Sequence, residues 1–359
     1  MKLMLTTALA ATLALPTATM AQDLKPITVA VGTTAMTVGY SFLTLAKTLG
    51  YWEEEGLDVT IEPVGASLQA AQLMIAGNAD FAQINGSVVV QSNVTNNLPL
   101  RFVMNNTVTD WNIAVPADSD IEAVTDIAGK TIGVFSLATG GVALLNSYMI
   151  ENGMDPEADI DMIPLGLGAA PVQALTNGDV DGLLYWGAAT VAFENQGLDL
   201  RRIAPEDWAE IPDYSLATME ATEEEDPETL IGMVRGMAKA EVFAIANPEC
   251  AVLLHWANYP DTKPTGADDE TVMAWEMNSI NFSVDNMKQA FELNGGEYYG
   301  AIDPAGVGRL QDFLSGSGVI EGEMPVEDLI VGIPDFYATA NDFDADAIRA
   351  SAEACEFDL

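Results

Sequence analysis

Short apolar runs alternate along the first half of the chain with segments in which apolar residues recur at helical spacing. Residues 27–31, Ile-Thr-Val-Ala-Val, are mostly apolar and β-branched and predict a strand. A loop at 32–39 and a helix at 40–49 follow, and the pattern returns with a helix at 67–76 and a strand at 81–84. This alternation predicts a mostly parallel sheet covered by helices.

The same order recurs in the middle of the chain. Residues 131–135 predict a strand, 136–141 are small or hydroxyl-bearing, and the apolar periodicity of 142–150 predicts a helix. A strand that leads through a small-residue turn into a helix presents unpaired backbone N–H groups, which can hold the oxygens of a ligand. A similar corner occurs at 27–39. Two such corners predict two halves with a ligand between them.

The chain is expected to cross between these halves twice, at 103–115 and around 211–214, and two crossings form a hinge that can close on a ligand. From residue 226 onward the pattern is mainly helical, with helices predicted at 227–246, from 248 onward, at 268–281 and at 304–315, three of them opened by a proline. We therefore predict an α/β fold of two lobes joined by a two-strand hinge, with a helical C-terminal extension on lobe 1. The expected boundaries are 22–110 plus 216–359 for a discontinuous lobe 1 and 111–215 for lobe 2.

The N-terminal residues predict a targeting segment. Lys2 precedes an apolar stretch at 3–15, Pro16 ends it, and Thr-Met-Ala at 19–21 fits a small-residue cleavage site. We predict a secretory signal peptide at 1–21, cleaved after Ala21, and an exported mature protein. A membrane anchor is the alternative, but the apolar run is shorter than the roughly 20 residues that a membrane span needs.

The net charge limits the classes of binding partner, and the two cysteines predict a disulfide. With 13 Lys and Arg residues against 54 Asp and Glu, the formal net charge is −41, so we expect neither nucleic acid nor an anionic membrane surface as a partner. The acids are scattered and form no calcium-loop motif, so no metal is expected. Cys250 and Cys355 are expected to form a disulfide in an exported protein. The alternative, a reactive thiol pair, would favour the C-x-x-C spacing that is absent.

Catalytic residues are few. The single histidine, His255, falls on a predicted apolar helix, where a core histidine is a better interpretation than a general base. The sequence contains neither a G-x-S-x-G nucleophile elbow nor a G-K-[ST] phosphate loop. We therefore expect no enzyme, no catalytic residue and no cofactor.

Candidate ligand contacts follow from topology, because ligands of open α/β sheets bind at the carboxyl ends of the strands. The alternative for each hydroxyl is N-capping and for each aromatic residue core packing. The candidates are the loop residues Thr33, Thr34, Met36, Asn85, Ser87, Ser136, Thr139 and Gly140, with Tyr185 and Trp186 after another strand and Trp111 and Tyr214 at the crossings.

Four segments resemble the SsuA/THI5-like (NMT1-type) solute-binding proteins. They read Gly-Tyr-Trp-Glu-Glu-Glu-Gly-Leu-Asp-Val at 50–59, Ile-Ala-Gly-Asn-Ala-Asp-Phe-Ala at 75–82, Asp-Ile-Ala-Gly-Lys-Thr-Ile-Gly-Val at 126–134 and Leu-Thr-Asn-Gly-Asp-Val-Asp-Gly at 175–182. The resemblance covers about residues 25–200. It implies a periplasmic binding protein fold of type II that delivers a small-molecule ligand to the permease of an ABC importer, and we expect a monomer.

The ligand remains open at this point. The family's ligands include sulfonates, nitrate, taurine and thiamine pyrimidine precursors, so the resemblance leaves a planar or aromatic solute, a pyrimidine and a sulfonate as choices. No Lys or Arg falls in the predicted loops, so an anion would depend on helix N-termini and hydroxyls. Two other functions remain as alternatives. One is a THI5-like pyrimidine-synthesis enzyme, which would need a cytosolic chain, a lysine for pyridoxal phosphate and a cysteine-rich motif; the other is a ligand-sensing partner of a membrane receptor.

Overall fold

The computed structural model describes residues 24–357, so the predicted signal peptide lies outside the described residues. Within this part of the chain, no helix has both the length and the apolar character needed to cross a membrane. The strands in this part are β1 (Lys25–Val31), β2 (Leu57–Pro63), β3 (Phe81–Asn85), β4 (Leu100–Asn105), β5 (Asn112–Pro116), β6 (Lys130–Val134), β7 (Ile160–Pro164), β8 (Gly182–Tyr185), β9 (Leu200–Ile203) and β10 (Tyr214–Met219). The α-helices are α1 (Ser41–Thr48), α2 (Ser67–Ile75), α3 (Gly86–Asn96), α4 (Gly140–Glu151), α5 (Ala169–Asn177), α6 (Gly187–Asn195), α7 (Glu220–Glu225), α8 (Pro227–Ala246), α9 (Pro248–Asn258), α10 (Asp269–Leu293), α11 (Pro304–Gly316), α12 (Phe336–Ala340) and α13 (Ala345–Ala354).

The first sheet has five strands in the order β2-β1-β3-β10-β4. β1 runs parallel to both β2 and β3, whereas β10 runs antiparallel to β3 and β4. All five residues of β3 are buried, as expected for a strand with helices on both faces of its sheet.

The second sheet repeats this plan in the order β7-β6-β8-β5-β9. β6 is parallel to β7 and β8, and β5 is antiparallel to β8 and β9. β5 and β10 therefore occupy equivalent antiparallel places, each entered directly after a crossing. The predicted two-lobed α/β fold is confirmed, while the proposed lobe boundaries, 22–110 with 216–359 and 111–215, stay a prediction.

The two crossings pair with each other. Asp213 N–H donates to the Thr107 carbonyl at 2.9 Å, and Thr109 N–H donates to the Ile211 carbonyl at 2.8 Å. An isolated antiparallel bridge joins Val108 to Pro212 between these bonds. The hinge is therefore a short hydrogen-bonded ribbon.

The C-terminal helices begin where the sequence pattern places them. Pro227, Pro248 and Pro304 each occupy the first turn of a helix, where the missing N–H of proline costs no hydrogen bond. Helix α10 differs from its prediction of 268–281: it runs on to Leu293. Its second half continues the helical spacing of apolar residues, with Val284, Met287 and Ala290 buried.

This extension packs on lobe 1 through α8 and α9, which lie against α1. It also reaches the second sheet's helices. The Asn195 side chain on α6 donates to the Trp275 carbonyl on α10 at 2.9 Å, and Ser317, just after α11, donates to Ser147 on α4 at 2.7 Å. The structure therefore holds both lobes against one helical layer.

Cys250 and Cys355 form a disulfide with Cα atoms 5.8 Å apart. It joins the first turn of α9 to the residue that follows α13. The C-terminal tail is thereby attached covalently to the helical extension.

Candidate functional site at the hinge

A partly enclosed cavity lies where the carboxyl ends of strands from both sheets meet the hinge. It offers about 60 Å³ to the centre of a water-sized sphere, which is room for about four to six waters or a compact ligand. Both sheets, the hinge and α10 contribute to its wall. The lining residues are Gly32, Gly39, Tyr40, Phe42, Asn85, Thr107, Asp110, Trp111, Phe135, Thr139, Trp186, Ala188, Asp213, Tyr214, Ser283, Asn286 and Met287.

Asp213 organises the lobe 1 side of this cavity. Its carboxylate accepts from the Asn85 side-chain amide at 3.0 and 3.1 Å and from the Trp111 indole N–H at 2.9 Å. Its backbone carbonyl accepts from Gly86 N–H at 2.8 Å, at the start of α3. One buried acid therefore ties a strand end, a helix start and the first crossing together.

The N-terminus of α4, predicted to hold a ligand's oxygens, has a protein partner instead. Gly140 N–H donates to the Asn85 side-chain oxygen at 3.2 Å, and Ser87 donates to the Gly140 carbonyl at 3.2 Å. Because Asn85 and Ser87 belong to the first sheet's half and Gly140 to the second, these bonds also fasten the two lobes. The Asn85 oxygen caps the helix as a ligand's oxygen would.

The aromatic rings of the cavity are inclined to one another. Trp186 meets Phe135 at 5.4 Å between centroids with an interplanar angle of 89°, and meets Trp111 at 5.6 Å with 66°. On the opposite side, Tyr40 and Tyr214 are 5.8 Å apart with 58° between their planes. The two contacts of Trp186 are edge-to-face and the tyrosine pair is tilted; edge-to-face geometry is favourable for aromatic pairs. None of these three ring pairs is parallel, so they leave no slot between parallel rings.

Two acids give the cavity its electrostatic character. Burial raises the pKa of Asp110 to about 7, and the nearby Asp213 charge adds to the rise. Burial likewise raises the pKa of Asp213 to about 6, while the hydrogen bonds from Asn85 and Trp111 oppose it. Among the residues that the structure describes, no Lys, Arg or His lines this cavity.

A larger and more open cleft of about 420 Å³ lies behind the first crossing and shares Asp110, Trp111 and Asn286 with the cavity. Its one basic residue within 24–357, Arg202, is paired with Glu194 at 2.8 Å and lies 5.4 Å from the Phe282 ring centroid. The cavity is the better site because residues of both sheets line it and most of its wall is buried.

Five of the predicted contacts line the cavity together: Asn85, Trp111, Thr139, Trp186 and Tyr214. They come from five separated parts of the sequence, at strand ends or crossings. That they contact a ligand stays a prediction, and their convergence supports it.

The other predicted contacts lie elsewhere for local reasons. Thr33 is buried with its hydroxyl on the Ala35 carbonyl at 3.1 Å, while Thr34 is exposed. The Ser136 hydroxyl accepts from Ala138 N–H at 3.2 Å, inside its own turn. Short hydroxyl side chains often satisfy neighbouring backbone groups in this way.

Met36, Ser87, Gly140 and Tyr185 are likewise absent from the lining. Met36 is buried in the core. Tyr185 is fully buried, packs edge-to-face on Phe193, and donates its hydroxyl to the Gly166 carbonyl at 2.7 Å. Side chains alternate along a strand, so Tyr185 enters the core and the next residue, Trp186, enters the cavity.

Several lining residues escaped the sequence prediction. Asp110 stands beside Trp111 but is one acid among 54 Asp and Glu residues. Asn286 on α10 binds both backbone groups of Val108 in the hinge, at 2.8 and 3.2 Å. Its neighbour Met287 completes the wall. No local sequence signal places α10 against a hinge strand so far away in the chain.

A glycine at the start of α4 is required for this wall. A Cβ atom on Gly141 would overlap the Trp111 ring, so Gly141→Ala is expected to displace the indole and lower the free energy of unfolding by about 1–3 kcal/mol. Urea unfolding of the purified variant measures this. Gly316→Ala is the matched control, because no atom lies within 4 Å of its added Cβ. Equal stability of the two variants would contradict the tight packing.

The two sheets and their paired hinge define a two-lobed fold of the periplasmic binding protein class. The NMT1/THI5 like family matches residues 39–251, more than half of the chain, and the chain belongs to that family. No curated protein sequence matches the chain.

Solved structures share the fold at low sequence identity. A protein from Bordetella bronchiseptica is 18% identical with a TM-score of 0.67, over 89% of this chain and 98% of that one. A putative periplasmic sulfonate-binding protein SsuA from Methylobacillus flagellatus is 17% identical with a TM-score of 0.55, over 89% and 94%. The desulfurization enzyme DSZB, bound to biphenyl-2-sulfinic acid, is 14% identical with a TM-score of 0.57, over 88% and 98%.

Proposed function

We propose that this protein is the periplasmic substrate-binding component of an ABC importer. It captures one small organic solute between its lobes and presents it, as a monomer, to the permease. The observation that carries the proposal is the cavity at a paired two-strand hinge, lined by residues from both sheets. Domain closure about such a hinge is a common way to enclose a ligand.

One of the ligand classes implied by the family resemblance, the sulfonates, also appears among the structurally similar proteins. The SsuA protein from Methylobacillus flagellatus is described as sulfonate-binding, and this supports a sulfonate as one candidate. The aromatic wall supports an organic solute in general, whether planar, pyrimidine-like or aliphatic.

An enzymatic function has less support, although DSZB shares the fold. Within residues 24–357 the cavity wall contains no Cys, His or Lys to act as nucleophile, base or cofactor anchor. His255 lies elsewhere, buried and bound to the Thr262 hydroxyl at 2.9 Å. Burial lowers the pKa of His255 to about 4, so it is neutral at physiological pH.

Native mass spectrometry of the gently purified protein tests the function directly, because a co-purified ligand appears as an added mass. We expect one ligand per chain. A matching compound should then raise the midpoint of thermal unfolding in a saturable way, by an amount that follows its affinity. Absence of both an added mass and any thermal shift across sulfonates, pyrimidines, amines and aromatic acids would reject the proposal.

A further inference from the structure

The charges around the cavity all have one sign. Asp110 and Asp213 face it, and among the described residues no positively charged side chain joins them. The salt bridges within 24–357 include neither acid. A buried acid without a cationic partner is costly when ionised. A ligand that brings a positive charge would remove that cost.

The two acids differ in what they can offer. Asp213 already accepts three hydrogen bonds from Asn85 and Trp111, so it holds the wall in place. Asp110 belongs to the first crossing, where its carboxylate lies near the Gly187 N–H at the start of α6 and near the Asn286 side chain. It is partly exposed, whereas Asp213 is only 4% exposed. Asp110 is therefore the acid that a ligand can reach.

The rings favour a compact cation over a flat one. Trp186 is inclined by 89° to Phe135 and by 66° to Trp111, and Tyr40 and Tyr214 line the same cavity. With Phe42, six aromatic residues surround this small volume. An ammonium group is attracted to the face of an aromatic ring when it lies within about 6 Å of the ring centroid. A planar ring would need two parallel walls, which these pairs lack.

We propose that the ligand of this cavity is a small organic ammonium compound, a protonated amine or quaternary ammonium, whose charge pairs with Asp110 inside the aromatic wall. This inference rests on the proposed binding function and names its ligand class. The same features of the cavity disfavour a sulfonate. The α4 N-terminus, which could have held an anion, is capped by Asn85, and two carboxylates face the space that the anion would enter.

Three probes of similar size but different charge provide the test. Choline is cationic, 3,3-dimethylbutan-1-ol is its neutral counterpart, and 2-hydroxyethanesulfonate is anionic; tetramethylammonium serves as a second cation. Calorimetric titration of the full mature protein should show at least one cation binding ten-fold or more tightly than the neutral alcohol. The sulfonate should show no binding.

Two variants test whether cation binding depends on the Asp110 carboxylate. Asp110→Asn removes the charge with little change of shape and should weaken cation binding by ten-fold or more, with binding of the neutral alcohol unchanged. Glu241→Gln is the matched control: Glu241 is a buried acid that accepts from Asn106 at 2.7 Å and does not line the cavity. It should leave cation binding unchanged. Circular dichroism checks that both variants are folded.

The outcomes separate this inference from the proposed function. Binding of the sulfonate in preference to both cations would overturn the inference and leave the binding function standing. Binding of neither cation would also overturn it, as would an unchanged cation affinity in Asp110→Asn. Failure of the binding function itself is decided independently, by the mass-spectrometric search for any co-purified ligand.

Discussion

Between pH 5 and pH 8, the free energy of unfolding is expected to fall as the pH rises, the reverse of ordinary acid denaturation. Burial raises the pKa of Glu241 to about 8, of Glu276 and Asp110 to about 7, and of Asp213 to about 6. In the unfolded chain such groups titrate near 4. Between the unfolded and folded values, the native state holds a proton that the unfolded state has lost. Each such group therefore lowers stability by up to about 1.4 kcal/mol per pH unit.

Urea unfolding at several pH values measures this slope. Glu241→Gln is expected to make the slope shallower below pH 8, because glutamine keeps an oxygen for Asn106 and does not titrate. Repulsion within a chain of net charge −41 would add to the trend, and 0.5 M salt screens surface charges more than buried ones. A stability that stays constant or increases with pH in high salt would show that these acids ionise without cost.

Asp213→Ala is expected to lower the free energy of unfolding by about 3 kcal/mol or more and to weaken ligand binding at least ten-fold. The substitution leaves the Asn85 amide and the Trp111 indole N–H without their acceptor, and each unsatisfied buried group costs about 1–3 kcal/mol. Both residues line the cavity, so their displacement should alter its shape. Urea unfolding and titration with the co-purified ligand measure the two effects.

Asp213→Asn serves as the control for that substitution. Asparagine keeps the size of the side chain and one acceptor oxygen, so it should lose only part of the stability. If both variants were as stable as the natural protein, the Asp213 network would not hold the hinge to the strand end.

Much of the architecture could be predicted from the sequence because it depends on local pattern. The apolar runs predicted where strands end, and two residues at such ends line the cavity: Asn85 at the end of β3 and Trp186 directly after β8. The proline-initiated helices of the extension also followed from position alone, since proline is favoured in a first helical turn.

The contacts that the sequence did not reveal share a physical cause, which is that polar groups select partners in three dimensions. The sequence could not show that Asn85 would cap α4 in the other lobe, nor that Asn286 would bind the Val108 backbone. Thr33 was predicted as a ligand contact from its place in a loop after a strand. In the structure its hydroxyl donates to the Ala35 carbonyl within the same turn. The angles between the aromatic rings argue against a stacked planar ligand, and the sequence does not reveal these angles.

The bonds from Asn85 and Ser87 to Gly140 bear on how a ligand could leave. Two hydrogen bonds of this kind contribute about 1 kcal/mol each, so they alone would favour the closed form of the ligand-free protein roughly thirty-fold. Spontaneous release would then be slowed even for a ligand held weakly by the cavity itself. A partner that pulls the two halves apart would have to separate Gly140 from Asn85 and Ser87, and could unload the protein without competing for the ligand.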